Sequence, residues 1–234
     1  MVRHHRNRQK QEKISGSVVF FDFDNTITTV DVIDDMLLNF SCNTKWQGLE
    51  QAWQEGRIGS RECLKGQIST LRVEKRKLDE YLKGIKIDPY FKKLIGLLSR
   101  CNIKRVILSD NFDYILRSIL ENNGISRMDF YANSLKLSQD KLIPRFPRKN
   151  KECGLCAHCK KKSILENTPL TGKVFYIGDG LSDICASRHA DIVFAKEHLL
   201  RYARKKKMDY IAYRSMQDIY RYFKRNLIYT GNKG

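Results

Sequence analysis

Acidic and hydroxyl side chains follow directly after three of the most apolar segments of the sequence. Asp22 and Asp24 end the segment VVFFDFD, Ser109 follows RVIL, and Asp179 comes just after KVFYI. Residues two apart on a strand project to the same side, so Asp22 and Asp24 can address one point. Three carboxylates at one point would repel one another, and a hard divalent cation such as Mg²⁺ resolves that repulsion. These residue types predict carboxylate chemistry assisted by a metal.

The segments around these residues alternate between strand and helix patterns. Short β-branched and aromatic runs predict strands, and residues spaced by three and four predict the helices between them. This alternation predicts an α/β fold with a doubly wound parallel sheet, and ligands of such sheets bind beyond the carboxyl ends of the strands. The predicted strands are 18–23, 105–109, 173–177, 191–194 and 209–213, with a hairpin over 130–146 and helices from Pro89, over Lys160–Asn167, around 198–206 and from Met216 to about Asn226.

A long helical segment interrupts this alternation directly after the first acids. Ile33, Leu37 and Phe40 begin a helical spacing of apolar residues that continues to about Asp88. The predicted organisation is therefore a disordered basic tail (1–16), a core domain (17–29 and 89–228) and a helical cap inserted within it (30–88).

The composition bears on whether the protein spans a membrane, is secreted or binds nucleic acid. No apolar run approaches the roughly 18 residues that cross a bilayer. The basic N-terminus lacks the apolar stretch of a secretory signal, and the seven cysteines fit thiols in a reducing cytoplasm. A net charge of +18 raises the question of nucleic acid, but the basic residues are dispersed and form no known nucleic-acid-binding motif. The favoured interpretation is that the basic residues lie on solvated surfaces and attract anionic substrates. Binding of a polyanion partner is left as an open alternative.

The motifs together resemble those of haloacid dehalogenase (HAD) superfamily phosphatases, in the phosphoserine-phosphatase-like branch with a type-1 cap. The motifs are DFDNT from Asp22, the strand-end Ser109, Lys160 at a helix start, and GDGLSD from Gly178. They occur in family order between Val18 and about Phe223. Two departures concern substrate fit: Asn25 stands where the family often has glycine, and Asp-Asn follows Ser109 where many members have two glycines.

The resemblance implies a role for each motif residue. Asp22 would be the nucleophile that forms an aspartyl-phosphate, and Asp24 the general acid and base. Mg²⁺ would be held by the Asp22 carboxylate, the Asp24 backbone carbonyl and Asp179. The supporting residues would be Asp183, Gly178 and Gly180.

Three further residues would bind the phosphoryl group or shape the site. Ser109 and Lys160 would hold the phosphoryl oxygens, and Thr26 would position the nucleophile loop beside them. Lys161 and Lys162 compete with Lys160 for this assignment, but Lys160 heads the predicted helix.

The resemblance implies a small phosphorylated metabolite as substrate, because a cap of this kind closes over compact phosphomonoesters. Different stretches of the sequence resemble two subfamilies of these phosphatases. The stretches at 130–147 and 153–160 resemble phosphoethanolamine/phosphocholine phosphatases, whereas the stretches at 21–34 and 191–210 resemble the methionine-salvage phosphatase that acts on a phosphorylated methylthio-diketone. The second is preferred, with phosphoethanolamine, phosphocholine and phosphoserine as alternatives. The oligomeric state is left open.

The cysteines before Lys160 allow a different interpretation. Cys153, Cys156 and Cys159 have the spacing of zinc ligands, although a fourth ligand would have to come from elsewhere. A reduced loop beside the active site is preferred. The competing class of function is a basic, zinc-bearing module that binds RNA on an inert phosphatase-like fold.

Overall fold

The computed structural model describes residue 14, residues 16–151 and residues 153–231, with side chains as far as residue 227. The basic tail predicted for residues 1–16 lies almost entirely outside the described residues. Its disorder stays a prediction.

A seven-stranded sheet forms the centre of the described chain. The strands lie in the order β4-β3-β2-β1-β5-β6-β7, and every neighbouring pair is parallel except β3 with β4. This arrangement confirms the predicted α/β fold. The strands are β1 (Val18–Phe21), β2 (Lys104–Phe112), β3 (Asp129–Ser138), β4 (Lys141–Arg145), β5 (Val174–Gly178), β6 (Ile192–Ala195) and β7 (Ile211–Ala212).

Helices connect the parallel strands and cover the sheet. Within the described residues, none of them is both long and apolar enough to cross a bilayer. They are α1 (Val32–Phe40), α2 (Lys45–Gln54), α3 (Ser60–Ser69), α4 (Lys75–Gly84), α5 (Phe91–Arg100), α6 (Asp113–Asn122), α7 (Lys160–Asn167), α8 (Ile184–Ser187), α9 (Glu197–Lys205) and α10 (Met216–Gly231).

The central strand β1 is buried on both faces of the sheet. Phe20 packs with Tyr176 and Leu108 on one face, while Phe21 and Phe175 belong to the larger cluster on the other. Alternate residues of a strand point to opposite faces, so a strand covered by helices on both sides is apolar throughout. This burial explains why β1 and β5 are apolar up to the points where these strands end.

The bounds of several predicted elements differ from the structure. The helix expected from Pro89 begins at Phe91, because the Asp88 carboxylate and carbonyl accept the backbone N–H groups of Tyr90 and Phe91 and form a turn first. The predicted hairpin over 130–146 is present as β3 and β4, but β3 also pairs in parallel with β2. The hairpin therefore extends the main sheet.

The segment between β1 and α5 contains α1 to α4. Its two connections to the sheet run side by side: Thr28 pairs with Ile87, and the Asp88 N–H donates to the Ile27 carbonyl at 2.8 Å. We refer to residues 30–88 as the cap segment. That these residues form a separate cap domain, with the boundaries given above, is a proposal.

Candidate active site

The carboxyl ends of β2, β1 and β5 lie next to one another, because β1 is the middle strand of these three. Ser109 lies in β2, Asp22 directly follows β1 and Asp179 directly follows β5. The Asp22 N–H donates to the carbonyl of Ile177 at 2.8 Å, which continues the β1–β5 pairing as far as Asp22. The strand-end residues singled out from the sequence therefore meet at one edge of the sheet.

Lys160 is the buried cation at this edge. Its Nζ atom lies 2.5 Å from Asp22 Oδ1 and 2.7 Å from Asp183 Oδ1. Burial alone would lower the pKa of Lys160, but Asp183 and Asp22 together raise it well above its ordinary value. Lys162, by contrast, is exposed and pairs with Glu166. Of the rival lysines, the structure places Lys160 against Asp22.

Asp22 is buried among other carboxyl groups. Burial, followed by the neighbouring Asp183, raises the pKa of Asp22 well above its ordinary value, while Lys160 acts in the opposite direction. A nucleophilic carboxylate must be ionised, so this arrangement calls for additional positive charge. A divalent cation would supply this positive charge.

Hydrogen bonds from Asn111 and Val32 hold the Asp24 carboxylate in place. Asn111 Nδ2 donates to both carboxylate oxygens, at 3.0 and 3.2 Å, and the Val32 N–H donates to Oδ1 at 3.0 Å. Loss of hydration and then the carboxyl of Asp31 raise the pKa of Asp24 well above its ordinary value. A carboxyl group with a raised pKa can carry a proton near neutral pH and donate it, as a general acid must.

Asp22, Asp179 and Asp183 form a cluster of carboxylates in which a metal ion could bind. Each offers a carboxylate oxygen, these three atoms lie within 4.8 Å of one another, and all three residues are buried. Burial and then Asp183 raise the pKa of Asp179 to about 6, which reflects the repulsion that a cation would relieve. Thr26 donates its hydroxyl to Asp179 Oδ1 at 3.0 Å and so orients that carboxylate. Buried oxygen ligands of this kind fit Mg²⁺.

Asp183 has no oxygen to spare for direct coordination. Its Oδ1 atom accepts from Lys160 and from the Tyr176 hydroxyl at 2.6 Å, and its Oδ2 atom accepts the N–H groups of Asp179 and Gly180, both at 3.0 Å. A side chain at Gly178 would place Cβ only 2.4 Å from Asp183 Oδ2. Asp183 therefore stabilises the loop that carries Asp179. Gly178 has no side chain, which leaves the space that the Asp183 carboxylate occupies.

The residue at the expected glycine position, Asn25, adopts a left-handed backbone conformation with φ of 53°. Asparagine adopts this conformation more readily than most other non-glycine residues, so it can replace glycine there. The Lys196 ammonium donates to the Asn25 carbonyl and packs over the Tyr213 ring. Lys196 thus holds the loop that follows Asp24 from its outer side.

Ser109 is fixed by its neighbours. Its hydroxyl accepts the N–H of Asn111 at 2.9 Å and lies 3.4 Å from Asp24 Oδ2. The ring of His158 bridges the Ser109 carbonyl, at 3.0 Å, and the Ser163 hydroxyl, at 2.7 Å. Burial lowers the pKa of His158 to about 3, so the ring is neutral.

Sequence reasoning missed Asn111 and His158 as site residues. The Asp-Asn pair after Ser109 marked Asn111 as unusual, but only as a departure from glycine. No signal in the sequence identified His158.

The three cysteines before Lys160 lie on a loop against the cap segment. Burial, then Asp110 and Cys153, raises the pKa of Cys156 to about 12, which keeps its thiol protonated. Among the described residues, the one group of three or more His, Cys, Asp or Glu ligand atoms within 4.8 Å is that of Asp22, Asp179 and Asp183. The cysteine loop is not part of such a group.

The cap segment touches this loop at the start of α3. The Arg61 N–H donates to the Leu155 carbonyl at 3.2 Å, and Ser60 Oγ accepts the N–H of Ala157 at 2.9 Å. A Cβ atom at Gly59 would lie 2.3 Å from the Leu155 carbonyl oxygen. The cap segment therefore rests closely on the sheet edge.

A cavity of about 130 Å³ lies between the cap segment and the sheet edge. Asp22, Asp24 and Asp179 line its sheet side, and Glu50 and Trp53 are among the residues that line its cap side. A reacting group in this cavity would meet the candidate nucleophile and the candidate general acid together.

Comparison with known proteins assigns the family. A family model described as "Putative Phosphatase" matches residues 17–214. The chain belongs to this phosphatase family. It is therefore a phosphoric monoester hydrolase, the activity that the motifs implied.

Individual relatives of this phosphatase match over most of their length. The 2-hydroxy-3-keto-5-methylthiopentenyl-1-phosphate phosphatase of Bacillus pumilus (strain SAFR-032) is 27% identical over 187 residues, covering 78% of this chain and 80% of the relative. Pdp3-interacting factor 1 of Schizosaccharomyces pombe is 26% identical over 215 residues, covering 87% and 93%. A solved structure described as a phospho-aspartyl intermediate analogue of phosphoserine phosphatase shares the fold, with a TM-score of 0.69, 21% identity, and coverage of 89% and 99%.

Proposed function

We propose that this phosphatase hydrolyses a small phosphomonoester through an aspartyl-phosphate on Asp22, with Mg²⁺ as cofactor. The observation that carries the proposal is the buried contact of Lys160 with Asp22, beside the carboxylates of Asp179 and Asp183. This group combines a nucleophile, a cation and a metal-ligand set at the edge of the sheet where such folds bind ligands.

The chemistry requires two steps on the phosphorus atom. In the first, the Asp22 carboxylate attacks phosphorus, the bond to the leaving oxygen breaks, and Asp24 gives that oxygen a proton. In the second, Asp24 takes a proton from water, the water oxygen attacks phosphorus, and the Asp22 carboxylate is released with inorganic phosphate. The raised pKa of Asp24 supports its role as the proton carrier.

Mg²⁺ would be held by the carboxylates of Asp22 and Asp179 and the backbone carbonyl of Asp24. When bound, it would neutralise charge on the nucleophile and on the transferring phosphoryl group. Asp183 would support the site from behind, since its oxygens are already bonded.

The phosphoryl oxygens would be bound by Lys160 and Ser109. Lys160 already lies within reach of Asp22, where the phosphoryl group would be attached. Thr26 would contribute to this end of the site by holding Asp179 in place. A cytoplasmic location is proposed with this function, on the thiol-rich composition described above.

The size of the cavity supports a small metabolite as substrate, because about 130 Å³ cannot take a folded polypeptide. The name of the Bacillus pumilus relative supports a phosphorylated ketone of methionine salvage as the first candidate. Phosphoethanolamine, phosphocholine and phosphoserine are the rivals.

The experiment is an assay with p-nitrophenyl phosphate. Full activity should require Mg²⁺, stop with EDTA and return when Mg²⁺ is restored. Asp22→Asn should lose turnover while retaining the fold, whereas Asp209→Asn, at an exposed acid that does not line the cavity, should remain active. Undiminished activity in metal-free buffer would refute the metal assignment. An inactive protein that binds RNA in a salt-dependent manner would favour the rival class, an RNA-binding module.

A further inference from the structure

Basic residues that are dispersed along the sequence meet at one edge of the sheet. Parallel strands begin at the same edge, so the connections that lead into β2, β3, β5, β6 and β7 all return to it. We call this edge the amino edge and define it by residues 100–105, 123–129, 168–173, 188–191 and 206–210. It lies opposite the candidate active site, which is at the carboxyl ends of the same strands.

The amino edge carries more positive than negative charge. The acids of these segments are Asp129, Asp191 and Asp209. The Asp191 carboxylate is already used, because it accepts the Val174 N–H at 2.7 Å. The exposed lysines and arginines of the same segments are Arg100, Lys104, Arg127, Arg188, Lys206 and Lys207.

These cations lack the acidic partners that other exposed basic residues have. Lys75 pairs with Asp79, and Lys162 pairs with Glu166, in each case one helical turn away. Among the described residues, by contrast, no acid forms an ion pair with any of the exposed cations of the amino edge. Lys104 donates instead to an uncharged side-chain amide oxygen at 3.0 Å. The positive charge of this edge is therefore available to an anionic partner.

A depression of about 440 Å³ lies within the amino edge, where β2 and β3 begin. Lys104, Arg105 and Arg127 line it, and Asp129 is the acid among its lining residues. The Nε atom of Arg105 is one of two buried side-chain nitrogen or oxygen atoms, among the described residues, that have no hydrogen-bond partner. An anionic group in this depression would meet three cations and one acid.

The cations are arranged in a row that suits a chain of phosphates. Neighbouring strands lie about 4.8 Å apart, so the segments from β3 to β7 extend over roughly 24 Å. A nucleic-acid backbone presents one negative charge per nucleotide along a line, and its oxygens bind arginine and lysine. A membrane surface would favour several apolar side chains beside the cations, whereas Leu170 is the one large apolar side chain that is exposed in these segments.

We propose that the amino edge binds the phosphate backbone of a single-stranded nucleic acid, as a second surface of this phosphatase that takes no part in catalysis. A single strand fits because the row is one layer of strands thick. The proposal goes beyond the proposed function and is independent of it, since none of these cations lines the active-site cavity. It also differs from the rival class of an RNA-binding module on an inert fold, because the catalytic residues stay in use.

The salt dependence of binding tests the proposal on the full chain. Fluorescence anisotropy with labelled oligouridine, in the absence of Mg²⁺, gives the association constant at salt concentrations between about 50 and 200 mM. Each phosphate contact with a single strand contributes about −0.7 to the slope of log K against log salt, so the exposed cations of the amino edge predict a slope of about −4. Binding that does not depend on salt would contradict the proposal.

A combined variant removes cations from both ends of the row. It carries the substitutions Lys104→Gln, Arg127→Gln, Lys206→Gln and Lys207→Gln. Affinity for oligouridine at low salt should fall by at least about tenfold, and the slope should become less steep by about 3. Hydrolysis of p-nitrophenyl phosphate should be unchanged, because these residues do not line the active-site cavity.

The matched control removes the same amount of charge from basic residues that have acidic partners. It carries Arg57→Gln, Arg76→Gln, Lys162→Gln and Arg221→Gln. This control should bind oligouridine like wild type. Equal losses in the two variants would show an effect of net charge only and overturn the proposal. Wild-type binding by the amino-edge variant would place the binding surface elsewhere in the chain and overturn it as well.

Two further anionic probes test the class of partner. They are polyglutamate and vesicles of phosphatidylserine and phosphatidylcholine in equal parts. Oligouridine should bind more tightly than either, and tighter binding of polyglutamate or vesicles would refute the nucleic-acid assignment. If oligouridine binds as predicted but p-nitrophenyl phosphate is not hydrolysed, the surface stands and the proposed function fails. If the ester is hydrolysed but oligouridine does not bind, only the amino-edge proposal fails.

Discussion

Lys160 Nζ lies 2.5 Å from Asp22 Oδ1, although 138 residues separate the two in the sequence. The contact is buried on both sides, and Asp183 shares the same ammonium group. A buried ion pair contributes little net stability while it is intact, but loss of one partner leaves the other charge uncompensated. Lys160 therefore has a structural role in addition to the chemical role that we propose for it.

Lys160→Met should destabilise the protein and abolish turnover. Removal of one member of a buried ion pair typically costs about 3–5 kcal/mol, so the free energy of unfolding should fall by an amount in that range. Lys162→Met is the control, because its exposed pair with Glu166 should be worth less than about 1 kcal/mol. Chemical denaturation of both variants checks the prediction. Equal unfolding free energies would show that Lys160 is not the buried partner.

Gly59→Ala should disturb the contact between the cap segment and the cysteine loop. The added Cβ would meet the backbone of Leu155, which cannot rotate away as a side chain could. We expect kcat/KM for small esters to fall about tenfold or more, since a displacement near 1 Å can cost up to about 100-fold. Gly48→Ala in α2, where the added Cβ meets open space, should leave kcat/KM unchanged. Wild-type kinetics in Gly59→Ala would mean that this contact is not needed for closure.

Asn111→Ala should slow turnover without weakening substrate binding. The Asn111 amide donates to both oxygens of Asp24, so its loss frees the proposed general acid to rotate. We expect kcat to fall about tenfold, a small part of the roughly 10²–10⁴-fold effect of a general acid, with KM little changed. Steady-state kinetics decide the point. A raised KM at unchanged kcat would instead place Asn111 in substrate binding.

His158 should make stability depend on pH. Its pKa is about 3 in the folded protein and near 6.5 when unfolded, so the folded state keeps the ring neutral while the unfolded state takes up a proton below pH 6.5. The stabilisation due to this residue is present above about pH 6.5 and is lost as pH falls toward 3, by about 1.4 kcal/mol per pH unit.

The comparison between wild type and His158→Asn isolates this effect from the raised pKa values of the aspartates, which act in the opposite direction. The difference in unfolding free energy between the two proteins should shrink between pH 7.5 and pH 5.5. Urea titrations at both pH values measure it. A difference that is independent of pH would contradict the buried, neutral state of the ring.

The fold and the residues that meet at the sheet edge could be predicted because both depend on short stretches of sequence. Buried parallel strands are apolar until they end, so Asp22, Ser109 and Asp179 stood out where the polar residues begin. The helix Lys160–Asn167 was predicted with the bounds that the structure has. The type and position of these residues carry the signal without any knowledge of tertiary contacts.

Other features depend on contacts that local patterns do not encode. The sequence did not identify His158 as a residue that holds Ser109 in position, because its two hydrogen-bond partners, Ser109 and Ser163, come from β2 and α7. The acids on the cap side of the cavity escaped prediction for the same reason: Asp31 precedes α1, Glu50 lies in α2, and each is ordinary in its own stretch of sequence. The extension of β2 to Phe112, past a register shift, also follows from pairing with β3.

The central claim is that Asp22 becomes covalently phosphorylated during turnover. Wild type and Asp22→Asn can be mixed with excess phosphomonoester and Mg²⁺, quenched in acid during the steady state, digested and analysed by mass spectrometry. Our account predicts an acid-stable but hydroxylamine-sensitive phosphate on the peptide that contains Asp22 in wild type, and none in the variant. Phosphate on a different residue, or near-normal turnover by Asp22→Asn, would contradict it.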